Sequence, residues 1–154
     1  MSKKINILNK KAKFNYELLS KYTAGIVLTG SEIKSIRQSK ASISESFCKF
    51  DDNGELFIVN MNIEKYSNSN TDQYNPKKQR KLLLNKNELK KLLKETINSS
   101  NTIIPLKLFI NEKGLAKLEI CLAKGKKLYD KRDSIKDRDN KRDLDRLKKI
   151  KTQK

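Results

Sequence analysis

The stretch ASISESFCKFDDNGELFIVNM, residues 41–61, carries the clearest fold signal in the sequence. Its first half alternates loosely, which predicts a strand with four side chains on one face, Ile43, Glu45, Phe47 and Lys49. Residues 51–54 (DDNG) predict a tight turn, because Asn-Gly tolerates the positive φ angles that such turns need. Residues 55–61 form the predicted partner strand, so the stretch as a whole predicts a β-hairpin.

A second hairpin is predicted further along the chain. Residues 103–110 form its first predicted strand, where Pro105 indicates an edge position because proline cannot donate to a sheet ladder. A turn over residues 111–114 leads to a second strand, residues 115–123. This strand alternates cleanly, with Leu118, Ile120 and Leu122 on one face and Lys117, Glu119 and Cys121 on the other.

Two helices and one further strand are predicted around the hairpins. Residues 22–28 predict a strand and residues 31–40 a short helix, for which Thr29 or Ser31 is the candidate N-cap. A longer helix is predicted to begin at Asn85, with Glu88 completing a capping box. Its packing face has helical spacing and consists of Leu89, Leu92, Leu93 and Ile97.

The remaining segments are polar. Residues 64–81 form a long loop, which is either mobile or a binding element. Residues 1–13 are either a solvated lead-in or, through their lysines, a patch that contacts phosphates.

The predicted fold class is mainly β. Five or more short strands in antiparallel hairpins favour an oligonucleotide-binding-type barrel, closed or partly open, with two or three flanking helices and a basic C-terminal tail. The predicted domains are an RNA-binding β-barrel over residues 1–124 and the tail over residues 125–154. We expect the tail to be disordered when free and helical along a polyanion, because its apolar residues are too few to hold a helix against a core.

The charge of the chain points to a polyanionic partner. The 154 residues include 36 Lys and Arg against 18 Asp and Glu, a net charge of +18. This excess favours a nucleic-acid partner over the alternative of a basic protein that is only kept soluble by its charge. The longest unbroken apolar run is Leu56–Val59, far shorter than a membrane span. No signal peptide is evident, so the chain is expected to be cytoplasmic and not bound to a membrane.

Enzymatic chemistry finds little support in the sequence. The chain has no histidine, which excludes Ser-His and Cys-His pairs and histidine-ligated zinc. Its acidic residues are scattered, and Cys48 and Cys121 lack the spacing of a metal site or a bridge. We therefore predict no enzyme, no cofactor and no metal. A carboxylate-metal nuclease built on Asp51 and Asp52 is the remaining catalytic alternative.

The segment KGKKLYDKR, residues 124–132, joins the predicted barrel to the tail. Five basic residues surround Gly125, which gives backbone freedom, and Tyr129, whose ring can stack on a base. After Gly125 the chain carries 13 basic and 6 acidic residues. The segment therefore predicts a hinge between a folded body and a tail that contacts nucleic acid.

Three motifs together resemble the SsrA-binding protein family, also called small protein B. They are GSEIKSIR (residues 30–37), RKLLL (residues 80–84) and AKGKKLYDKR (residues 123–132). The resemblance runs from about Asn9 to Lys149. It implies an oligonucleotide-binding barrel that binds the tRNA-like domain of transfer-messenger RNA and brings it to stalled ribosomes for trans-translation. The implied partners also include the 16S rRNA decoding region, the mRNA channel and, with the aminoacylated RNA, elongation factor Tu.

The resemblance also implies roles for individual residues. Those implied at the RNA-binding surface are Asn9, Lys10, Lys11, Glu32, Lys34, Arg37, Arg80, Lys81, Leu82, Leu83 and Lys124. Those implied in the decoding centre are Gly125, Lys126, Lys127, Tyr129, Asp130, Lys131 and Arg132. The family often has histidine where this chain has Tyr129, so the shared role is stacking on a base.

Two alternatives stay open at this point. Glu32 can cap a helix, or its carboxylate can accept from a nucleobase amino group and so contribute selectivity. The whole chain can instead be a general basic RNA-binding or ribosomal protein without selectivity for the tRNA-like RNA, which would bind with a steep salt dependence.

Overall fold

The computed structural model describes residues 4–67, 73–125 and 142, which contain nine strands and three regular helices. In chain order the elements are β1 (Asn6–Leu8), α1 (Ala12–Asn15), β2 (Tyr16–Ile26), α2 (Gly30–Arg37), β3 (Ala41–Ser42), β4 (Phe47–Phe50), β5 (Leu56–Val59), β6 (Asn62–Ile63), β7 (Arg80–Leu83), α3 (Lys86–Asn98), β8 (Thr102–Ile110) and β9 (Ala116–Gly125). No helix in these ranges is long and apolar enough to cross a membrane.

Six strands close into a ring. Their order is β8-β4-β5-β7-β2-β9, and β9 pairs again with β8, all in antiparallel register. The short β1 adds to β8, while β3 and β6 form a separate pair. The prediction of a mainly β, antiparallel barrel is therefore confirmed. Ring closure leaves few unpaired strand edges that could pair with another chain.

Both predicted turns are present and have the same construction. Gly54 and Gly114 adopt φ angles of +78° and +79°, which glycine reaches without a steric penalty. In each turn a side-chain oxygen three residues before the glycine accepts two backbone N–H bonds. Asp51 accepts from Asn53 and Glu55, and Asn111 accepts from Lys113 and Leu115.

The strand predicted before the first turn is broken in two. Residues 43–46 lie between β3 and β4, where the Ser46 hydroxyl donates to the Ile43 carbonyl. The break interrupts the alternation, so Ile43 is buried while Phe47 is 42% exposed. The prediction that these two side chains share one face is therefore wrong.

The barrel interior is filled by aliphatic side chains from every part of the ring, and both longer helices cover it. Ile36 of α2 and Leu92 of α3 are fully buried, and Leu89 packs against the same core. Ile97, predicted on the packing face of α3, is 73% exposed, so that face ends before the last turn of the helix. Asn85 is the N-cap as predicted, but its side chain makes no capping hydrogen bond.

The N-terminal segment is more ordered than a solvated lead-in. Strand β1 pairs with β8, and α1 leads directly into β2, which begins six residues before the predicted Tyr22.

Pro105, predicted at an edge, is buried inside the sheet. The register of β8 against β9 shifts just after it, which accommodates a residue that cannot donate.

Two further strand boundaries differ from the prediction. Residues 80–83, predicted as part of a loop and an apolar run, form β7, which lies between β5 and β2 in the ring. Strand β9 continues past the predicted end at Ala123, because Lys124 and Gly125 pair with Glu17 and Tyr16. The barrel therefore ends with Gly125 in a strand.

Candidate nucleic-acid interface

The predicted site residues divide between two opposite ends of the barrel. Strand β2 connects the ends: its first residue, Tyr16, pairs with Gly125, and its last, Ile26, pairs with Leu82 of β7. Ten steps of about 3.3 Å, shortened by the register shift between Leu18 and Lys21, place these ends roughly 30 Å apart. We call the first the tail end, carrying Asn9, Lys10, Lys11, Lys124 and Gly125. We call the second the α2 end, carrying Lys34, Arg37, Lys81 and Leu83.

The α2 end is organised by the start of helix α2. Thr29 is the N-cap, and its hydroxyl accepts a hydrogen bond from the Glu32 backbone N–H. The Glu32 carboxylate accepts in return from the backbone N–H of Thr29, at 3.1 Å. The capping interpretation of Glu32 is therefore confirmed. A reciprocal capping box of this kind fixes where the helix begins.

The other carboxylate oxygen of Glu32 forms a buried ion pair with Arg80 of β7. Arg80 Nε lies 2.5 Å from Glu32 Oε2, and each side chain is 1% exposed. The guanidinium also donates to the backbone carbonyls of Met61, Lys78 and Pro76. Two charges at this depth need such complete hydrogen bonding, because burial removes them from water. The pair fastens α2 and the segment before β7 to the barrel.

The end of the long loop joins the same network. The Tyr74 hydroxyl donates to the Ile63 carbonyl at 2.8 Å and accepts from Arg80 Nη2 at 3.3 Å. Lys78 Nζ lies 3.4 Å from Glu32 Oε1. The described part of the loop nearest β7 is thus held against the barrel by contacts that connect it to Glu32.

The pKa of Glu32 lies below its usual value. Burial is the largest influence and acts to raise the pKa, but the hydrogen bond from the Thr29 backbone, the hydrogen bond and charge of Arg80 and the charge of Lys78 together outweigh it. Burial and the nearby Glu32 charge raise the pKa of Tyr74. Glu32 is therefore ionised and Tyr74 neutral at physiological pH.

This lowered pKa predicts a specific pH dependence of stability. Glu32 stabilises the fold above its ordinary pKa of about 4.5, and that contribution is lost as the pH falls through its lower folded-state pKa. We expect Glu32→Gln to be less stable than wild type in urea unfolding at neutral pH. The difference between the two should shrink as the pH falls below about 4.5. A constant difference between pH 7 and pH 3 would contradict the assignment.

Burial separates the predicted site residues at the α2 end. Glu32, Arg80 and Leu82 are 1–2% exposed, so in this structure their side chains support the surface from beneath. Leu83 is 52% exposed, and Lys34, Arg37 and Lys81 also reach the surface. The Arg37 guanidinium lies 3.5 Å from the Gly114 carbonyl, and Lys81 pairs with Glu55 at 3.0 Å. This exposed group is the part of the α2 end that a ligand can touch.

A further cation at the α2 end was missed by sequence reasoning. Lys117 of β9 extends over Gly25, where a Cβ would lie 3.6 Å from the Lys117 amine and 3.5 Å from Leu83 Cβ. The absence of a side chain at Gly25 therefore lets this amine approach Leu83. The alternation of β9 placed Lys117 on the outer face, but only the pairing of β2 with both β7 and β9 brings it to this end.

The tail end is built on the N-terminal segment. The Asn9 side-chain amide donates to the Pro105 carbonyl at 2.9 Å, while its oxygen is buried and has no partner among the described residues. Lys10 and Lys11 are exposed, and Lys11 lies 3.7 Å from the exposed Glu45. Lys124 is exposed at the end of β9. The tail end thus offers cations beside the point where the barrel ends.

The predicted decoding-centre residues after Gly125 lie outside the described residues. These are Lys126, Lys127, Tyr129, Asp130, Lys131 and Arg132.

The residues of the nuclease alternative, Asp51 and Asp52, lie in the first hairpin turn, where the Asp51 carboxylate accepts backbone hydrogen bonds. Within residues 4–67 and 73–125 no three acidic or cysteine side chains could hold a metal ion together.

Comparison with known proteins gives consistent results over nearly the whole chain. A family model described as SmpB protein matches residues 6–150. The SsrA-binding protein of Christiangramia forsetii is 64% identical over 149 residues, covering 97% of this chain and 94% of the relative. That of Flavobacterium psychrophilum is 63% identical, covering 97% and 99% respectively.

A solved structure has the same fold. The chain is similar to one in the structure described as "tmRNA-SmpB: a journey to the center of the bacterial ribosome", with a TM-score of 0.66 and 41% sequence identity. The match covers 80% of this chain and 86% of that chain. At this identity the likeness extends to sequence as well as backbone.

Proposed function

This chain belongs to the SmpB protein family, and on that premise we propose that it binds the tRNA-like domain of transfer-messenger RNA and brings it to stalled ribosomes for trans-translation. The observation that carries the proposal is the full-length similarity to SsrA-binding proteins, together with a solved relative described with tmRNA on the ribosome. The net charge of +18 supports an RNA partner. Binding, rather than catalysis, is the proposed activity.

The two ends of the barrel support a division of labour. The α2 end offers cations around an exposed leucine, a combination suited to phosphates and to the apolar face of a base or sugar. The tail end carries cations beside the start of residues 126–154. We assign the tRNA-like domain to the α2 end and the ribosome to the tail end. This assignment departs from the resemblance, which implies Asn9, Lys10, Lys11 and Lys124 at the same RNA-binding surface as the α2-end residues. One rigid barrel would then hold both RNAs at a separation of roughly 30 Å.

The tail assignment follows from the family. Residues 126–132 would act in the decoding centre and the rest of the tail in the empty mRNA channel, with Tyr129 stacking on a base. The proposed domain boundary is at Lys124–Gly125, one residue before the end of β9. A cytoplasmic location and an encounter with elongation factor Tu on the aminoacylated RNA belong to the same proposal.

Charge reversal at each end tests this division. Lys34→Glu with Lys81→Glu should weaken binding to the isolated tRNA-like domain at least tenfold, because each removes a phosphate contact and adds a repulsion. Lys10→Glu with Lys11→Glu should leave that affinity within about threefold and reduce tagging on stalled ribosomes. Gel shifts and a reconstituted tagging reaction measure the two quantities. Equal loss of RNA affinity in both double variants would contradict the division.

Competition with ordinary tRNA tests selectivity. Wild-type protein, labelled tRNA-like domain and unlabelled tRNA are mixed at near-physiological salt, because weak basic binders bind every RNA at low salt. A strong preference for the tRNA-like domain supports the proposal. Equal competition by both RNAs would leave the alternative of a non-selective basic RNA-binding protein.

A further inference from the structure

A pocket of about 270 Å³ lies beside the Glu32–Arg80 pair at the α2 end. Its walls include Ser31, at the start of α2, and Tyr66, Tyr74 and Lys78 from the long loop. Its volume is below the roughly 300–1,000 Å³ of pockets that take drug-sized ligands. The pocket is therefore of a size to take a single flat ring.

Both tyrosine rings of this pocket lie beneath a lysine. Lys34 Nζ is 5.4 Å from the centre of the Tyr66 ring, and Lys78 Nζ is 5.9 Å from that of Tyr74. Both distances are within the range of a cation–π contact. The pocket thus combines two aromatic walls with cations above them, which is the combination that binds an unstacked base and its flanking phosphates.

The two tyrosines differ in how firmly they are held. The Tyr74 hydroxyl is fixed by the Ile63 carbonyl and by Arg80, so its ring is part of the framework. Tyr66 is half-buried, and its hydroxyl makes no hydrogen bond with the part of the chain that the structure describes. Of the two rings, Tyr66 is thus the one that no hydrogen bond within the described residues fixes in place.

The charges around the pocket decide which ligand fits. Glu32 and Glu64 both line it, and the lowered pKa of Glu32 keeps that carboxylate ionised. Lys65 and Lys78 line it as well, and Glu32 is already paired with Arg80 and Lys78. Exposed Glu64 and the Ser31 hydroxyl are therefore the acceptors left for the N–H donors of a neutral base. The lysines are better placed for phosphates outside the pocket, since Lys34 and Lys65 are exposed.

We propose that this pocket receives one unstacked nucleobase of the RNA bound at the α2 end, stacked on Tyr66. The inference rests on the proposed function, since it names a contact made by the same RNA. The pocket would add selectivity to the phosphate contacts, because only an RNA with a base that can leave its stack can fill it. Selection between folded RNAs of similar charge would then depend on Tyr66.

Conservative and non-conservative changes at Tyr66 test the pocket. Tyr66→Leu, which removes the ring, should weaken binding of the isolated tRNA-like domain about tenfold to a hundredfold, the range found for loss of one stacked base. Tyr66→Phe keeps the ring and should bind within about threefold of wild type. Phe47→Leu removes an exposed ring at the other end of the barrel and should change nothing. Thermal unfolding checks that each variant is folded.

Ultraviolet crosslinking of the wild-type complex gives a second, independent result. Mass spectrometry should locate a crosslinked nucleotide on the peptide that contains Tyr66. Wild-type affinity in Tyr66→Leu, or a crosslink pattern that lacks this peptide, would overturn the pocket while selective binding by wild type still upheld the proposed function. Absence of selective binding by the wild-type protein would instead contradict the proposed function itself.

Discussion

Replacing Arg80 by methionine is expected to destabilise the protein by about 3–5 kcal/mol, because the ionised Glu32 carboxylate would stay buried without its main partner. Removal of the guanidinium also leaves the carbonyls of Met61, Lys78 and Pro76 without its donors. Urea unfolding at neutral pH, followed by circular dichroism, measures the change. Few single substitutions elsewhere on the barrel should cost as much.

Lys81→Met provides the matched control. Lys81 follows Arg80 on β7 and also forms an ion pair, but its side chain and that of Glu55 are 40% and 44% exposed. Exposed pairs contribute up to about 1 kcal/mol, so this variant should unfold close to wild type. If Arg80→Met unfolded normally and lost RNA affinity, Arg80 would be an RNA contact instead of a support for the surface.

Leu83→Glu is expected to give a large loss of RNA affinity with little loss of stability. Leu83 is 52% exposed at the α2 end, beside Lys81 and the amine of Lys117. A carboxylate there would replace an apolar contact, repel phosphates and pair with the nearby amines. We expect a loss of about 2–4 kcal/mol, the range of a strong interface residue. Titration of the isolated tRNA-like domain measures it.

Leu8→Glu is the control for this variant. Leu8 is 55% exposed at the end of β1, so the substitution and the degree of exposure are the same while the location is different. It should bind the isolated RNA nearly as wild type does. If both variants lost affinity to the same extent, the effect would come from net charge and would not locate the RNA at the α2 end.

Local signals in the sequence were sufficient for the turns and for the start of α2. Asn-Gly and Lys-Gly sequences place glycine where φ is positive, and Thr29, one of the two predicted N-cap candidates, caps α2 with Glu32 in its first turn. These features depend on residues within four positions of one another. The alternation of β9 likewise identified its buried face, except that Cys121 on the opposite face is also buried.

Features that depend on distant pairing were not predictable in the same way. Arg80 and Glu32 are 48 positions apart, and nothing near either residue shows that both are buried. The family resemblance implies both residues at the RNA-binding surface, whereas this structure uses both side chains as internal supports. Strand β1 has only three residues, too few for alternation to be visible, and it exists because β8 provides a partner.

The pairing of Gly125 with Tyr16 fixes the position from which the C-terminal residues of the chain extend. Because Gly125, the last described strand residue, is paired within a closed ring, the following 29 residues begin at a point that the fold sets. Fully extended, those residues could span up to about 100 Å, and as a helix about 43 Å. The distance that these residues can reach is therefore set relative to Gly125. Any insertion within β2 or β9 would move Gly125 relative to the α2 end.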